Sequence, residues 1–418
     1  MAYEVLLLTR QQPSLFPVWE WIPEANVRVV ASAEYSSETI SGPEGVDFVD
    51  GYVYSANADL AVLRACRLKP VDHLIAVSEH DVGRAAALRE LLGLPGQRSA
   101  SAAAYRDKVI MKAAWQRAGL PVAAFSAIET PADLFTFALQ HGYPIVVKPR
   151  RSSGSVGVSV LTSEDKAEAW LAKNWRVPLG ASFPWMAESF VAGRILQVDG
   201  IWTAGRVEIN WPTSVGDLLD WKHGDSCLSV GLEADNPRVP QVQELVMNAL
   251  KALPDPDGPI VYHAEVWERD DGQLAMNEVA ARVGGALTRE MVRAAFDVDL
   301  VERFVQGTID PEVFEDPAPD RPKRLAGEIV VPLRMGEVVA IDDLPRELQA
   351  PWFRNVTISA QPGKRYRGSA YSSDFAAACV AVGADSAEVS ARLLEFKDWA
   401  EASIHYEPTE PVTGSRAG

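Results

Sequence analysis

The chain has 418 residues, of which 47% are hydrophobic and 23% charged, and its 57 acidic against 40 basic side chains leave a net charge of −17. This length exceeds one ordinary core and predicts two to three domains or lobes, and the composition excludes disorder. No apolar run nears the ~20 residues that span a bilayer, and the negative charge excludes unspecific nucleic-acid binding, which needs clustered Lys and Arg.

The start, MAYEVLLLTR, carries only a short apolar run after an acidic residue, so no secretory signal is expected and the chain reads as cytoplasmic. Cys66, Cys227 and Cys379 are few and far apart, which argues against a disulfide framework or a cysteine-rich metal site. Residues 1–104 read as a small open α/β unit of parallel type. Its strands are Glu4–Thr9, Val27–Ala31 and His73–Ser78, and a helix over Asp81–Leu92 stops at Gly93 and Pro95. No G-x-G-x-x-G follows the first strand, so a dinucleotide site has no support. Ser78-Glu79-His80-Asp81 stands at the carboxyl end of a strand, where such sheets commonly bind ligands. It suits a helix N-cap with favourable acidic residues equally well.

A helix over about 107–118 begins at Asp107 as N-cap and ends at Gly119, before Pro121. Lys108 lies in its first turn, where a cation opposes the helix dipole, so the dipole does not explain it; a solvated lysine is the simple alternative. The helix over 130–141 has Thr130 as cap, Pro131 at N1 and Asp133 at N3, and closes at Gly142 and Pro144. Next comes YPIVVKPRRSSGSVGVSV, residues 143–160. A buried strand (Ile145–Lys148) runs into a loop of two arginines, three serines and two glycines, then out into a strand over Val158–Leu161. Such a loop can wrap an anion with backbone N–H groups and hydroxyls, which predicts a mobile hairpin covering phosphate; an ordinary flexible tip is the alternative. It is not a Walker A loop, because a strand follows where a helix is required. Lys148 at the end of an apolar strand is poorly explained as packing.

A helix over 163–173, an extended stretch over Trp185–Phe190 and strands over Leu196–Trp202 and Arg206–Trp211 follow. The helix over 240–252 aligns Val242, Leu245, Val246, Ala249 and Leu250 on one stripe. It leads into VYHAEVWERDDGQLAMNEVAARVGG, residues 261–285. Two alternating runs flank Asp271-Gly272, the signal for a two-residue hairpin turn. Folding about that pair sets Asp270 opposite Gln273, Trp267 opposite Met276 and Glu265 opposite Glu278. Two glutamates side by side repel unless they are solvated or share a cation, and oxygen-only ligands favour magnesium or manganese over zinc. Helices over about 286–296 and 298–306 follow, then a proline-rich connection, DPAPDRPKR. The segment over 323–408 reads as strands with one helix, Ser386–Ala400, and a polar tail from Pro408.

The order of these pieces resembles the ATP-grasp ligases. It is carried by Asp107-Lys108, Val147-Lys148-Pro149 before the hairpin, Glu188-Ser189-Phe190-Val191-Ala192-Gly193, Val198-Asp199-Gly200, His263-Ala264-Glu265, and Glu278-Val279-Ala280-Ala281-Arg282. The resemblance covers about 72–310 closely, and 1–71 and 323–405 more loosely. It implies the ATP-grasp fold, an α/β architecture with α+β parts. A pre-ATP-grasp lobe would span 1–104, small and lid subdomains 105–190, a large subdomain with the metal site 191–314 and a C-terminal α+β segment 323–408, with a tail over 409–418.

The resemblance also implies the site. Lys108 and Lys148 would contact the phosphates of ATP, and Ser152, Ser153, Gly154, Ser155 and Gly157 would cover them. Glu188, Ser189, Phe190 and Val191 would form the adenine hinge, and Glu265 and Glu278 would hold Mg2+ or Mn2+. Arg282 would be the catalytic arginine and would bind substrate together with Gly284 and Gly285. His223 lies where related ligases place substrate-facing residues, a surface histidine being the alternative. The implied reaction passes the γ-phosphoryl group of ATP to a carboxylate and lets an amine attack the acyl-phosphate, so no protein nucleophile is needed. The N-E-x-A-x-R pattern at Asn277–Arg282 points to an amino-acid or dipeptide ligase, of the kind found in natural-product pathways. A purine-precursor ligase or carboxylase is the alternative enzyme. A silent nucleotide-binding sensor is favoured by two departures, Ile195 where ribose is usually held by a glutamate and Ala280 where a metal-binding asparagine is common. The implied partners are small carboxylates and amines, with no nucleic acid or membrane, and a homodimer through the N-terminal lobe.

Overall fold

The computed structural model describes residues 2–175, 184–216, 223–371 and 374–407. The polar tail and most of Trp221-Lys222-His223 lie outside the described residues. Near the N-terminus come β1 (Tyr3–Thr9), α1 (Val18–Trp21), β2 (Ala25–Ser32), β3 (Gly45–Val49), α2 (Asn57–Leu68), β4 (His73–Ala76) and α3 (Asp81–Leu92). The strands form one sheet in the order β3-β2-β1-β4 with every pairing parallel. Val5, Leu6, Leu7 and Leu8 of β1 are fully buried, as expected where both faces of a parallel sheet are covered. Sequence reading missed β3, whose GVDFV buries only Val49.

A second unit holds α4 (Ser99–Arg106), α5 (Lys108–Arg117), β5 (Phe125–Ile128), α6 (Pro131–His141), β6 (Ile145–Pro149), β7 (Ser159–Leu161), α7 (Glu164–Asn174) and β8 (Trp185–Ser189). Its antiparallel sheet, β5-β8-β6-β7, packs α6 and α7 on a core of Ile128, Leu134, Phe137, Ile145, Val147 and Trp170. The Thr130 side chain accepts from Asp133 N and the Asp133 carboxylate accepts from Thr130 N, the reciprocal cap expected from sequence.

The rest of the chain builds β9 (Gly193–Thr203), β10 (Arg206–Val215), β11 (Cys227–Gly231), α8 (Arg238–Lys251), β12 (Ile260–Arg269), β13 (Leu274–Ala280), α9 (Thr288–Phe296) and α10 (Leu300–Ile309). After these come β14 (Leu325–Pro332), β15 (Met335–Ile341), β16 (Phe353–Ile358), β17 (Arg365–Arg367), β18 (Phe375–Gly383), α11 (Ser386–Ser403) and β19 (Ile404–Glu407). One eight-stranded sheet runs β13-β12-β9-β10-β11-β14-β18-β16, so three strands of the last segment continue the sheet that carries the acidic hairpin. The stripe of α8 is buried as its spacing predicts.

The β12–β13 hairpin differs from expectation in an instructive way. Its loop has three residues, 270–272, with Arg269 N donating to Gln273 O (3.0 Å) and Gly272 N to Arg269 O (2.8 Å). Arg269 therefore faces Gln273, Val266 faces Met276, and Trp267 faces Ala275, each one step from the two-residue-turn register. Gly272 takes φ 79°, which suits the left-handed residue of a three-residue loop. A bulge at Asn277 then adds one residue to β13 and moves the pairing back by one, so Glu265 does face Glu278.

Candidate functional site

The paired glutamates sit at the centre of a buried group of charges. Glu265 and Glu278 share one face, where strand alternation also places Trp267 on β12 and, by pairing, Gln197 on β9 beside Glu265. Asn277, on the bulge, donates its side-chain amide to Glu265 Oε2 at 2.7 Å. Lys108 Nζ lies 3.3 Å from Glu278 Oε2 and donates to Ser152 O at 2.7 Å. That pairing explains the lysine that the helix dipole left unexplained. Burial alone pushes the Glu278 carboxyl up, but Lys108 and Lys148 outweigh it and hold it well below the carboxylate range, at about 2. Glu278 is thereby held ionised and set against cations, which is the electrostatic condition for receiving a polyphosphate and its metal.

Lys148 emerges from β6 as expected, and its Nζ lies 3.0 Å from Glu188 Oε2. The other oxygen of Glu188 lies 3.1 Å from Lys112 Nζ, on a lysine with no solvent exposure. Burial lowers the Lys112 ammonium despite Glu188, whereas Lys148 is raised because Glu188 and Glu278 outweigh its burial. Sequence reading missed Lys112, although it follows Lys108 by four residues on one face of α5, a spacing that could have revealed it. It also expected Glu188 as part of an adenine hinge. Here its carboxylate is enclosed by the two lysines, so Glu188 itself has only backbone groups left for a ligand. Ser189 N donates to Ala124 O and Phe190 N to Pro144 O, whereas Val191 N has no backbone acceptor among the described hydrogen bonds. Phe190 itself is exposed.

The serine–glycine hairpin after β6 is anchored at its base. Asp107 caps α5 through Val109 N and Ile110 N, and it also receives Arg150 Nε (3.1 Å) and Arg151 Nε (3.2 Å). Lys108 N donates to Arg150 O at 3.1 Å. Beyond this clamp, Gly154 (φ 62°), Ser155 (φ 58°) and Gly157 (φ 77°) turn the chain, and Ser152 Oγ donates to Val156 O at 3.1 Å. Ser153 is half-buried in the same turn.

Arg282, which also acts on Glu278, donates from Nε to Glu79 Oε2 at 2.7 Å, and Arg106 meets the other oxygen of Glu79. Burial lowers the Arg282 guanidinium from its ordinary value. Glu79 belongs to the Ser78–Asp81 tetrapeptide, for which a ligand site and a helix cap were both open. No side chain of the tetrapeptide caps α3, whose N-cap His80 makes no side-chain cap hydrogen bond. Asp81 is fully buried and receives Ser78 Oγ and Arg10 N, while Glu79 turns to the arginines of the site.

Behind the glutamates, Asp199 accepts His263 Nδ1 at 2.9 Å and Gly284 N at 2.7 Å. His263 Nε2 lies 3.8 Å from Glu265 Oε1. Burial pulls the imidazole down, but Asp199 and Glu265 raise it to about 9. A Cβ on Gly284 would meet Thr288 Oγ1 at 2.7 Å and His263 Nδ1 at 2.9 Å, so that position requires glycine. The structure thus gathers Lys108, Lys148, Glu188, Glu265, Glu278, Arg282, Gly284 and Gly285. His223 is exposed, and none of the described contacts joins it to them. Ile195 is a buried core residue paired with Trp267 and offers no oxygen to a ribose.

The donor set fits a hard divalent cation. Two facing carboxylates and a nearby amide side chain are oxygen ligands. Among the described residues no group of three His, Cys, Asp or Glu side chains is placed to hold a metal by itself, so the remaining ligands must come from a bound phosphate and water. No helix among the described residues is long and apolar enough to cross a membrane.

In sequence and fold the chain is similar to several known proteins. Residues 107–183 match the family described as carbamoyl-phosphate synthase L chain, ATP binding domain. The L-arginine-specific L-amino acid ligase of Bacillus subtilis is 24% identical over 282 residues, 64% of this chain and 65% of the relative. The D-alanine–D-alanine ligase of Bacillus velezensis is 28% identical over 213 residues, 47% of this chain and 58% of the relative. The matches thus cover less than two thirds of the length of either curated relative. The crystal structure of an L-amino acid ligase from Bacillus licheniformis superposes with a TM-score of 0.79 at 19% identity, covering 98% of this chain and 99% of the other. The chain thus has the fold of that ligase structure and shares the stretch over 107–183 with an ATP-binding domain, as the resemblance to the ATP-grasp ligases leads one to expect.

Proposed function

We propose that the chain is an ATP-dependent carboxylate–amine ligase that joins two amino acids, or similarly small molecules, through an acyl-phosphate. The observation that carries this reading is the facing Glu265–Glu278 pair, with Lys108, Lys148 and Arg282 all acting on Glu278. ATP would lie between β12–β13 and the second unit, its adenine against Val191 N and its phosphates near Lys108 and Lys148. Glu265 and Glu278 would hold Mg2+ or Mn2+, which neutralises phosphate charge when bound. The turn 152–157 would close over the phosphates from its clamp on Asp107.

The reaction asks little covalent chemistry of the protein. A substrate carboxylate oxygen attacks the γ-phosphorus and the bond to the β-phosphate oxygen breaks, leaving ADP and an acyl-phosphate. The amine nitrogen then attacks the acyl carbon, the C–O bond to phosphate breaks, and an amide and phosphate are left after loss of one proton from nitrogen. The chain's own residues would orient and neutralise: Lys108 and Lys148 on the phosphates, and Arg282 with the Gly284–Gly285 loop on the carboxylate and the phosphoryl group in transfer. Lys108 and Lys148 are buried, and a closed turn above them would exclude water that would otherwise hydrolyse the acyl-phosphate.

The test is direct. Protein with ATP, magnesium and pooled amino acids should release ADP and phosphate and yield a product whose mass is the sum of two amino acids less water. Intact ATP binding with no ADP release across the pool would overturn the reading in favour of a nucleotide-binding sensor.

A further inference from the structure

We propose that Glu328 is a positioning residue for this site, a neutral carboxylic acid that locks the Gly284–Gly285 loop from behind through Thr288. The proposal rests on the reading of that loop as the place where the substrate carboxylate or its phosphoryl group is held. Glu328 lies on β14, within the last segment of the chain, and is buried. Its Oε2 accepts Leu287 N at 2.8 Å, capping an α9 that has no side-chain cap of its own. Its Oε1 lies 3.2 Å from Thr288 Oγ1.

Counting protons decides the state of the acid. Thr288 Oγ1 also lies 2.7 Å from Gly285 O, a carbonyl that can only accept. The hydroxyl has one proton, and the shorter contact with the obligate acceptor takes it. The contact with Glu328 Oε1 is then a hydrogen bond only if Glu328 carries a proton and donates it to Thr288. A relay results, from Glu328 through Thr288 to the Gly285 carbonyl. Thr288 is wedged against the space that a Cβ on Gly284 would fill, so the relay fixes both glycines.

The surroundings favour the neutral form. Ser229 on β11 and Val380 on β18 flank Glu328 in the sheet, and Ala326 and Val330, two residues to either side on the same face of β14, belong to the central apolar core. The charged groups that face it are acidic: Asp199 on β9, itself paired with His263, and Glu290 on α9. Burial above all, then Asp199 and Glu290, push the Glu328 carboxyl up to about 8 against the hydrogen bond it accepts from Leu287 N.

Two variants test this. E328Q keeps the pattern of a neutral acid, its amide oxygen accepting Leu287 N and its amide N–H donating to Thr288. E328A removes both contacts. The KM for the carboxylate substrate should rise about tenfold in E328A, the effect of losing one or two neutral hydrogen bonds, and return to within about twofold of the parent in E328Q. Equal damage in the two variants would overturn the proposal, because it would mean that the ionised carboxylate is needed.

A second measurement does not depend on turnover. Between the ordinary glutamate value of 4.5 and about 8, the folded chain holds a proton at Glu328 that the unfolded chain has lost. Stability from this group therefore falls as pH rises through that window, and E328Q has no such loss. The Tm of E328Q should gain on that of the parent steadily from pH 5 to pH 8, and parallel Tm curves would overturn the neutral acid. A protein silent toward every amino acid would sink the ligase reading and leave this Tm comparison standing, so the two failures are distinguishable.

Discussion

The two hairpins that enclose the site are built on opposite principles. β12–β13 is a register device, in which each glutamate is set by backbone pairing and the carboxylates are half-buried, Glu278 beside Lys108 and Glu265 beside Asn277. The hairpin between β6 and β7 is a tether device: residues 150–158 make no ladder, and the base is held by Asp107 on two arginines. The first suits groups that must meet a cation within tenths of an ångström, since a one-residue slip turns every side chain to the other face. The second suits a cover that must open to admit a ligand, since a clamp of partly exposed ion pairs yields more readily than a strand ladder. Precision and mobility are assigned to different strands of one cleft.

The largest break in this contrast should come from the register hairpin. Glu278→Ala removes a charge that backbone pairing delivers to the centre of the site, and ADP formation should fall by about 1000-fold or more, in line with loss of a preorganised electrostatic group. Far-ultraviolet circular dichroism should be unchanged, and retained turnover would sink the metal assignment. Next in size is Lys148→Ala, at the end of β6 where the ladder gives way to the tether. It removes a phosphate ligand and leaves Glu188 with Lys112 alone. The rate should fall by about 100-fold and ATP binding should weaken with it. Unchanged ATP affinity and rate would mean that the flap does not cover a nucleotide.

A smaller effect is expected at the tether. Asp107→Ala releases Arg150 and Arg151 and also deletes the cap of α5, a cost of about 1 kcal/mol. The KM for ATP should rise several-fold while kcat changes little, and trypsin should cleave after Arg150 or Arg151 faster than in the parent. A flap as resistant to trypsin as before would show that Asp107 is a cap and not a clamp.

These contrasts also explain what the chain discloses before it is folded. Local periodicity reveals the strand pair, the reciprocal cap of α6 and the stripe of α8, because each is a pattern within about a dozen residues. The glutamate pair was found by a register wrong at the turn, and the bulge at Asn277 corrected it. No propensity rule announces that bulge, and only the pairing shows it. The partner of Arg282 was hidden for another reason, since Glu79 is 203 residues away and reaches it from a different sheet. Lys112 was lost by reading α5 as a helix with one notable residue, although its spacing from Lys108 was in plain sight. His223, placed only by its position along a resembling chain, is exposed and has no described contact with the site, as the surface alternative expects.

The smallest expected effect asks which irregularity governs the register. Gly272 adopts φ 79° with the Arg238 guanidinium 3.3 Å from where a Cβ would stand, so Gly272→Ala costs about 1–2 kcal/mol of left-handed strain. If the bulge and the Asn277–Glu265 hydrogen bond lock the pairing near the metal site, that strain stays at the loop tip. The Tm should then drop by a few degrees while the rate of ADP formation is unchanged. If the turn governs, the chain can relieve its strain by adopting the two-residue loop and shifting β13 by one residue. Glu278 then turns away from Glu265, and activity collapses while the Tm barely moves. The ten residues of β12 that pair with β9 hold that strand from its other edge, so any slip must be taken by β13 alone. Burial of Met276 and Val279 against the central core opposes such a slip, which is why the stability loss without an activity loss is the expected outcome.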